Sequence, residues 1–164
     1  MTLLLSTLST PIGNLNLIAD EHILLAANLS NLKALKESLS QEDSERDVKN
    51  VSRIPIITDL ISDYFDGDIA ALNAISVRQP GAHFSQEAWK AMKKVKAGKV
   101  ISYSELAERA GSPAAVRAAG SACAKNAIVL IVPCHRIVKT GGALGNYAYG
   151  LDKKAWLLRH EGAL

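Results

Sequence analysis

Residues 131–150 read IVPCHRIVKTGGALGNYAYG, and this stretch holds residue types suited to nucleophilic chemistry: Cys134, His135 and Arg136 in a row. A free thiol is mostly protonated at neutral pH, so a cysteine that attacks carbon needs a base or a positive neighbour. His135 is of the first type and Arg136 of the second. A third group should orient the imidazole, and Glu161, in RHEG, is the leading acidic candidate. Successive side chains on a strand point to opposite faces, so Cys134 and His135 cannot meet if the strand through Ile131 simply continues. Pro133 predicts a bend there, because proline lacks the N–H that a ladder uses. Past such a bend His135 can act on the thiol directly or through a water. Gly141, Gly142, Gly145 and Gly150 suit a loop closing over the site. Spacing alone leaves the plainer alternative open, a small buried cysteine beside an unremarkable histidine.

The elements that must position these residues fall into two halves, 1–78 and 79–164. In the first, residues 3–9, 14–19 and 23–28 read as strands, the last two joined at Asp20-Glu21. Leu32, Leu35 and Leu39 have helical spacing after Asn31, an N-cap residue. SQEDSERDVKN, residues 40–50, reads as an acidic loop. Ile57, Leu60, Ile61, Tyr64 and Phe65 mark a second helix that Gly67 ends, and AISVRQPG gives a short strand and a linker. This half is a small α/β unit without recognisable chemistry, a scaffold.

The second half reads as mostly helical. Phe84, Ala88, Trp89, Met92 and Val95 form the apolar face of a helix closed by Gly98. Ser102-Tyr103-Ser104-Glu105 has the form of a capping box, and the helix it opens stops at Gly111. Ser112-Pro113 then makes a second start, which predicts a helix-turn-helix of winged-helix type. In PAAVRAAGSACAK nearly every side chain is small except Arg117. Such a helix packs closely on another helix or lies in a DNA groove with one Arg projecting. Cys123 on it reads as packing, Trp89 and Trp156 as core, His22 and His83 as ordinary, and His160 as a cap of the last helix.

Apolar residues make up 48% and charged residues 21% of the chain, as in soluble globular proteins. The opening MTLLLSTLSTP has no basic region before its apolar run and reads as a strand, not a signal peptide. No stretch reaches the ~20 apolar residues of a membrane span. Two cysteines, Cys123 and Cys134, point to free thiols in a reducing compartment, cytoplasmic or nuclear, and they are too few for a structural zinc site. The net charge of +3 is unevenly spread: residues 1–78 hold 6 Lys/Arg against 11 Asp/Glu, a net −5, and residues 79–164 hold 13 against 5, a net +8. A basic half of this kind faces a polyanion, although Lys90, Lys93, Lys94, Lys96 and Lys99 also fit a solvated face.

VPCHRIV, GALGNY and KKAWLLRHEG, together with FSQEAW, SYSELA and GSPAAVRAAG followed by Asn126, resemble the O6-alkylguanine-DNA alkyltransferases. The matching motifs run from Gly81 to Gly162 in the family's order. The resemblance implies a suicide repair protein without cofactor or metal, a monomer acting on double-stranded DNA through the minor groove without sequence preference. Cys134 would take the alkyl group and keep it as a thioether. His135, through a water, would be the base, oriented by Glu161, with Asn126 holding the turn that builds the site. Arg117 would fill the gap left by the flipped nucleotide. Tyr103 would help displace the base and donate to the guanine, and Ala115, Ser121 and Arg136 would complete the DNA side. Tyr147, Ala148, Tyr149 and Ile137 would line the substrate, and Lys154 would balance charge nearby.

Four positions depart from the family's pattern: Ala127 and Lys96 stand where proline is usual, Ala148 where some members have serine, and Tyr149 where some have glycine. Tyr149 is expected to narrow the pocket against large adducts such as benzyl. Two other functions remain open on sequence, a non-catalytic binder of alkylated DNA and a Cys-His hydrolase unrelated to DNA. Cys134 argues against the first, and the basic half against the second.

Overall fold

The computed structural model describes residues 2–164. The chain forms two compact units: the described residues up to Pro80 with Ala127–Ile131, and Gly81–Asn126 with Val132–Leu164. The first is built on a five-stranded mixed sheet. Strands β1 (Leu3–Thr10), β2 (Gly13–Asp20) and β3 (Ile23–Asn28) form an antiparallel meander with Leu5 opposite Ile18 and a register shift at Ile18/Ala19. The β2–β3 turn places Glu21 at φ 53°. Every residue from Leu15 to Ala19 and from Leu24 to Asn28 is buried, so both faces of the central strands are covered. The polar members among them are satisfied in a chain: Thr7 Oγ1 donates to Asn16, whose amide donates to Asn28.

Helix α1 (Leu32–Glu37) follows, and the Asn31 side chain accepts from the Ala34 N–H as its cap. Leu35 from this helix joins Leu3, Leu5, Ile18 and Leu25 in the core. Residues 40–50, expected as a loop, instead form helix α2 (Gln41–Ser44), capped by Ser40, and strand β4 (Val48–Asn50), parallel to β1. Glu42, Glu45 and Asp47 do face solvent, but Asp43 is drawn inward: it is 5% exposed and accepts from Arg46 at 3.1 Å and Arg78 at 2.8 Å. Helix α3 (Ile57–Phe65) and strand β5 (Ser76–Val77), parallel to β3, lie as expected. Beyond β5 the same edge of β3 is taken by 127–129, through the Ala27 N–H to the Ala127 carbonyl and the Val129 N–H to the Ala27 carbonyl. The Ala127 N–H donates to Gln79 Oε1 at 2.8 Å, a bond proline could not make.

The second unit is mainly helical. Helix α4 (His83–Lys93) buries Ala88, Trp89, Ala91 and Met92. Strand β6 (Ile101–Ser102) leads into α5 (Tyr103–Arg109), where Ser102 Oγ accepts from the Glu105 N–H. The end of α5 is sealed by Gly111 at φ +98°, with the Gly111 N–H on Glu108 and the Ser112 N–H on Ala107. Helix α6 (Val116–Ala124) begins three residues later than Pro113, the expected start. Residues 112–115 close a turn of their own, Ala115 N–H to Ser112 carbonyl at 2.9 Å, and the ψ of 45° at Ala115 interrupts the helical path. Strand β7 (Ile137–Val138) pairs in parallel with β6, and α7 (Leu151–His160) ends the fold. Among the described residues no helix is long and apolar enough to cross a membrane.

Candidate active site

The bend read from Pro133 is present and tight. Pro133 has φ −83° and ψ 67°, and the Cys134 N–H reaches back to the Val132 carbonyl at 2.8 Å. Cys134–Arg136 then form one 3-10 turn. Three residues of such a turn point in three directions, so the sequence neighbours separate. Cys134 lines a cavity of ≈ 720 Å³, while His135 and Arg136 turn into the protein interior.

Glu161 receives both. As the residue closing α7 it is held by the Gly162 N–H on Arg159 and the Ala163 N–H on Leu158, with Gly162 at φ +81°. Its carboxylate accepts from His135 Nε2 at 2.8 Å and from Arg136 Nε and Nη2, each at 2.9 Å. Burial opposes its ionisation, but the bonds from His135 and Arg136 hold its carboxyl well below the usual carboxylate range. Burial also pushes the His135 imidazole below its ordinary value, partly opposed by Glu161, which favours the neutral ring. An ionised carboxylate only accepts, so the neutral imidazole donates from Nε2 and keeps its lone pair on Nδ1. Nδ1 is buried and has no partner among the described residues.

Asn126 follows the end of α6, and its Nδ2 donates to the Val132 carbonyl at 2.8 Å and to Cys134 Sγ at 3.4 Å. Burial pushes the Cys134 thiol up, while the Asn126 bond and the Lys154 charge act in the opposite direction. Lys154 on α7 is fully buried and donates to the carbonyls of Ile137 at 2.6 Å and Asn146 at 3.1 Å. Burial lowers its pKa too. Its ammonium lies 5.9 Å from the Tyr103 ring centroid. The Tyr103 ring fits against the glycine-rich loop because position 145 carries no side chain: a Cβ there would come within 3.0 Å of the ring.

The cavity gathers Cys134 with Tyr103, Arg117, Ser121, Tyr147 and Ala148, all anticipated from the sequence. Ala115 precedes α6 and does not line it, and Ile137 is fully buried and takes part through its carbonyl. Two expectations are corrected. Arg136 does not face outward: it is 4% exposed, forked on Glu161, with Nη1 on the Val95 carbonyl at 2.7 Å. Tyr149 does not line the cavity, because its ring turns edge-on to Tyr147 at 5.8 Å. Sequence reasoning missed Asn146 and the cavity-facing role of Cys123, and burial pushes that thiol up to about 12. The signal for Cys123 was its place on the α6 face of Val116, Gly120 and Ala124, at helical spacing.

Residues 83–163 match the family described as 6-O-methylguanine DNA methyltransferase, DNA binding domain. The chain is 35% identical over 170 residues to the methylated-DNA–protein-cysteine methyltransferase of Salmonella typhimurium, covering 100% of this chain and 98% of that protein. It is 34% identical over 155 residues to the Methanosarcina acetivorans protein of that name, covering 94% and 95%. Among solved structures, the Mycobacterium tuberculosis OGT in complex with DNA superposes with a TM-score of 0.79 at 29% identity, covering 98% of this chain and 93% of that one.

Proposed function

The chain belongs to the methylated-DNA–protein-cysteine methyltransferase family, and from that membership we propose that it moves the alkyl group of an O6-alkylguanine in duplex DNA onto Cys134, once per molecule. The observation that carries this reading is a thiol on a cavity wall, bonded by Asn126 and followed in the same turn by a carboxylate-oriented imidazole. His135 Nδ1 takes the thiol proton through a water. Cys134 Sγ attacks the alkyl carbon as the bond from that carbon to O6 breaks. The electron pair leaves with the guanine, which accepts a proton in exchange, aided by the Tyr103 hydroxyl. Lys154 offsets the developing thiolate charge. A thioether is not hydrolysed, so the protein is consumed.

A base inside a duplex cannot reach a protein cavity, so the damaged nucleotide must flip. The cavity has room for it, with Tyr147 and Ala148 among its lining residues. Arg117, exposed on α6 at the cavity, is the residue to occupy the gap left in the duplex. Helices α5 and α6 serve as a helix-turn-helix, with Ala115 and Ser121 against the DNA. Minor-groove entry suits a repair protein, because that groove carries little sequence code. Binding by one monomer draws on phosphate contacts and weakens with salt.

The test is to mix the protein with a duplex containing O6-methylguanine and weigh it intact. The expected gain is one methyl group, absent in Cys134→Ser, with no further gain on a second dose of duplex. Binding without a mass gain would overturn transfer and leave a damage-binding protein.

A further inference from the structure

We propose that Trp89 is a positioning residue for this transfer: its indole N–H holds the last turn of α6 so that Asn126 leaves the helix and reaches Cys134. The inference rests on alkyl transfer to Cys134 as read above. The final carbonyls of a helix have no intrahelical partner. In a continuing helix the Ala122 carbonyl would accept from the N–H of Asn126, four residues on. Here the Asn126 N–H bonds the Cys123 carbonyl at 3.3 Å, and Trp89 Nε1 donates to the Ala122 carbonyl at 2.9 Å. Ala122 is fully buried and Trp89 is 5% exposed, so without the indole this carbonyl would lie unpaired in the interior. With the indole in place the helix stops at Ala124, and Asn126 donates its side-chain N–H to Val132 and Cys134.

The indole is itself fixed. A Cβ at Gly81 would meet the Trp89 ring at 2.6 and 2.7 Å, so the ring is seated on a residue without a side chain. Gly81 backs the Trp89 ring, the indole N–H bonds the Ala122 carbonyl, the Asn126 N–H bonds the neighbouring Cys123 carbonyl, and the Asn126 side chain bonds the reacting sulfur. Trp89 does not line the cavity, and its path to the thiol runs through the last turn of α6 and Asn126.

The test replaces Trp89 with phenylalanine and, separately, with 3-benzothienylalanine, which keeps the indole shape and removes the N–H. Single-turnover transfer from an O6-methylguanine duplex is followed against pH, beside duplex affinity and thermal midpoint. The other titratable groups acting on Cys134 are Lys154 from α7, Tyr103 from α5 and Cys123 from α6, with His135 next in the chain and bonded to Glu161, and all remain in both variants. The expected result is transfer about tenfold slower at neutral pH, with the midpoint of the pH profile raised by about one unit, as for a lost hydrogen bond to a charged group. Duplex affinity should stay at the wild-type value. In an Asn126→Ala background, neither replacement should slow transfer further. A benzothienylalanine variant with the wild-type pH profile overturns the proposal, even if the phenylalanine variant is less stable. A wild-type chain that gains no methyl group would instead overturn the alkyl-transfer reading beneath it.

Discussion

Each unit carries arginines forked on carboxylates, and the two clusters differ in what surrounds them. In the first unit Arg46 binds Asp20 at 2.9 and 3.0 Å and shares Asp43 with Arg78, yet the arginine side chains are 22% and 49% exposed. In the second unit Arg136, Glu161 and His135 form contacts of the same length with side chains no more than 4% exposed. Water weakens the first set, and each exposed pair is worth about 0–1 kcal/mol. Removing the second set from water is costly, so the cluster holds only while each charge keeps its partner. The open cluster ties α2 and β5 to the sheet, whereas the closed one fixes the tautomer and direction of an imidazole.

Breaking the closed cluster should have the largest effect. Glu161→Gln leaves the Arg136 guanidinium buried without a counter-charge, which is expected to cost about 3–5 kcal/mol of folding stability. Chemical denaturation at neutral pH measures it. Transfer should slow as well, because a carboxylate with two accepting oxygens becomes an amide with one, shared between His135 and Arg136, and the hold on the Nε2 proton weakens. A loss no larger than that of an exposed pair would erase the distinction between the clusters.

The pH dependence of stability sharpens the same contrast. Glu161 and His135 both titrate below their ordinary values of 4.5 and 6.5 in the folded protein. Groups with depressed folded pKa contribute stability that is complete above the unfolded value and lost as pH falls toward the folded one. Stability should therefore begin to decline just below pH 6.5, as unfolded His135 takes up its proton, and fall more steeply below 4.5. Denaturant midpoints between neutrality and pH 3 should show both phases, and Glu161→Gln should flatten the lower one. An unchanged lower phase would assign acid sensitivity to other carboxylates, Asp20 and Asp43 first, whose pKa values are also lowered by their arginines.

Asp43→Asn tests the open cluster at its most buried point. The side chain is 7% exposed, and the substitution removes the charge from its contacts with Arg46 and Arg78. A loss of about 1–2 kcal/mol is expected, reduced in high salt because the arginines reach solvent. Transfer to Cys134 should proceed at the wild-type rate.

These clusters also mark where the sequence was legible. The β1–β3 meander showed itself through short apolar runs and turn residues, and the caps at Asn31 and Ser102 through local hydrogen bonding that spans three residues. Residues 40–50 were misread because Asp43 and Arg78 meet across 35 positions, which no local pattern records. Arg136 was misdirected for a related reason: adjacency set it beside the thiol, and only the turn after Pro133 separates them. Residue types carried the chemistry, while long-range pairing decided which charges it used.

Arg78→Ala should have the smallest effect and draws the finest line. Arg78 is 49% exposed, contacts Asp43 at 2.8 Å and lies 3.6 Å from Asp20. Its removal leaves Asp43 still bonded by Arg46 and by the Ser40 hydroxyl, so no buried charge is orphaned. The expected loss is below about 1 kcal/mol. A double-mutant cycle with Asp43→Asn measures the pair directly and should give a coupling of a few tenths of a kcal/mol to about 1 kcal/mol. A coupling comparable to that across Arg136–Glu161 would mean that burial of Asp43 alone makes a pair act as buried. A small one shows that a single solvated partner is enough to keep it weak.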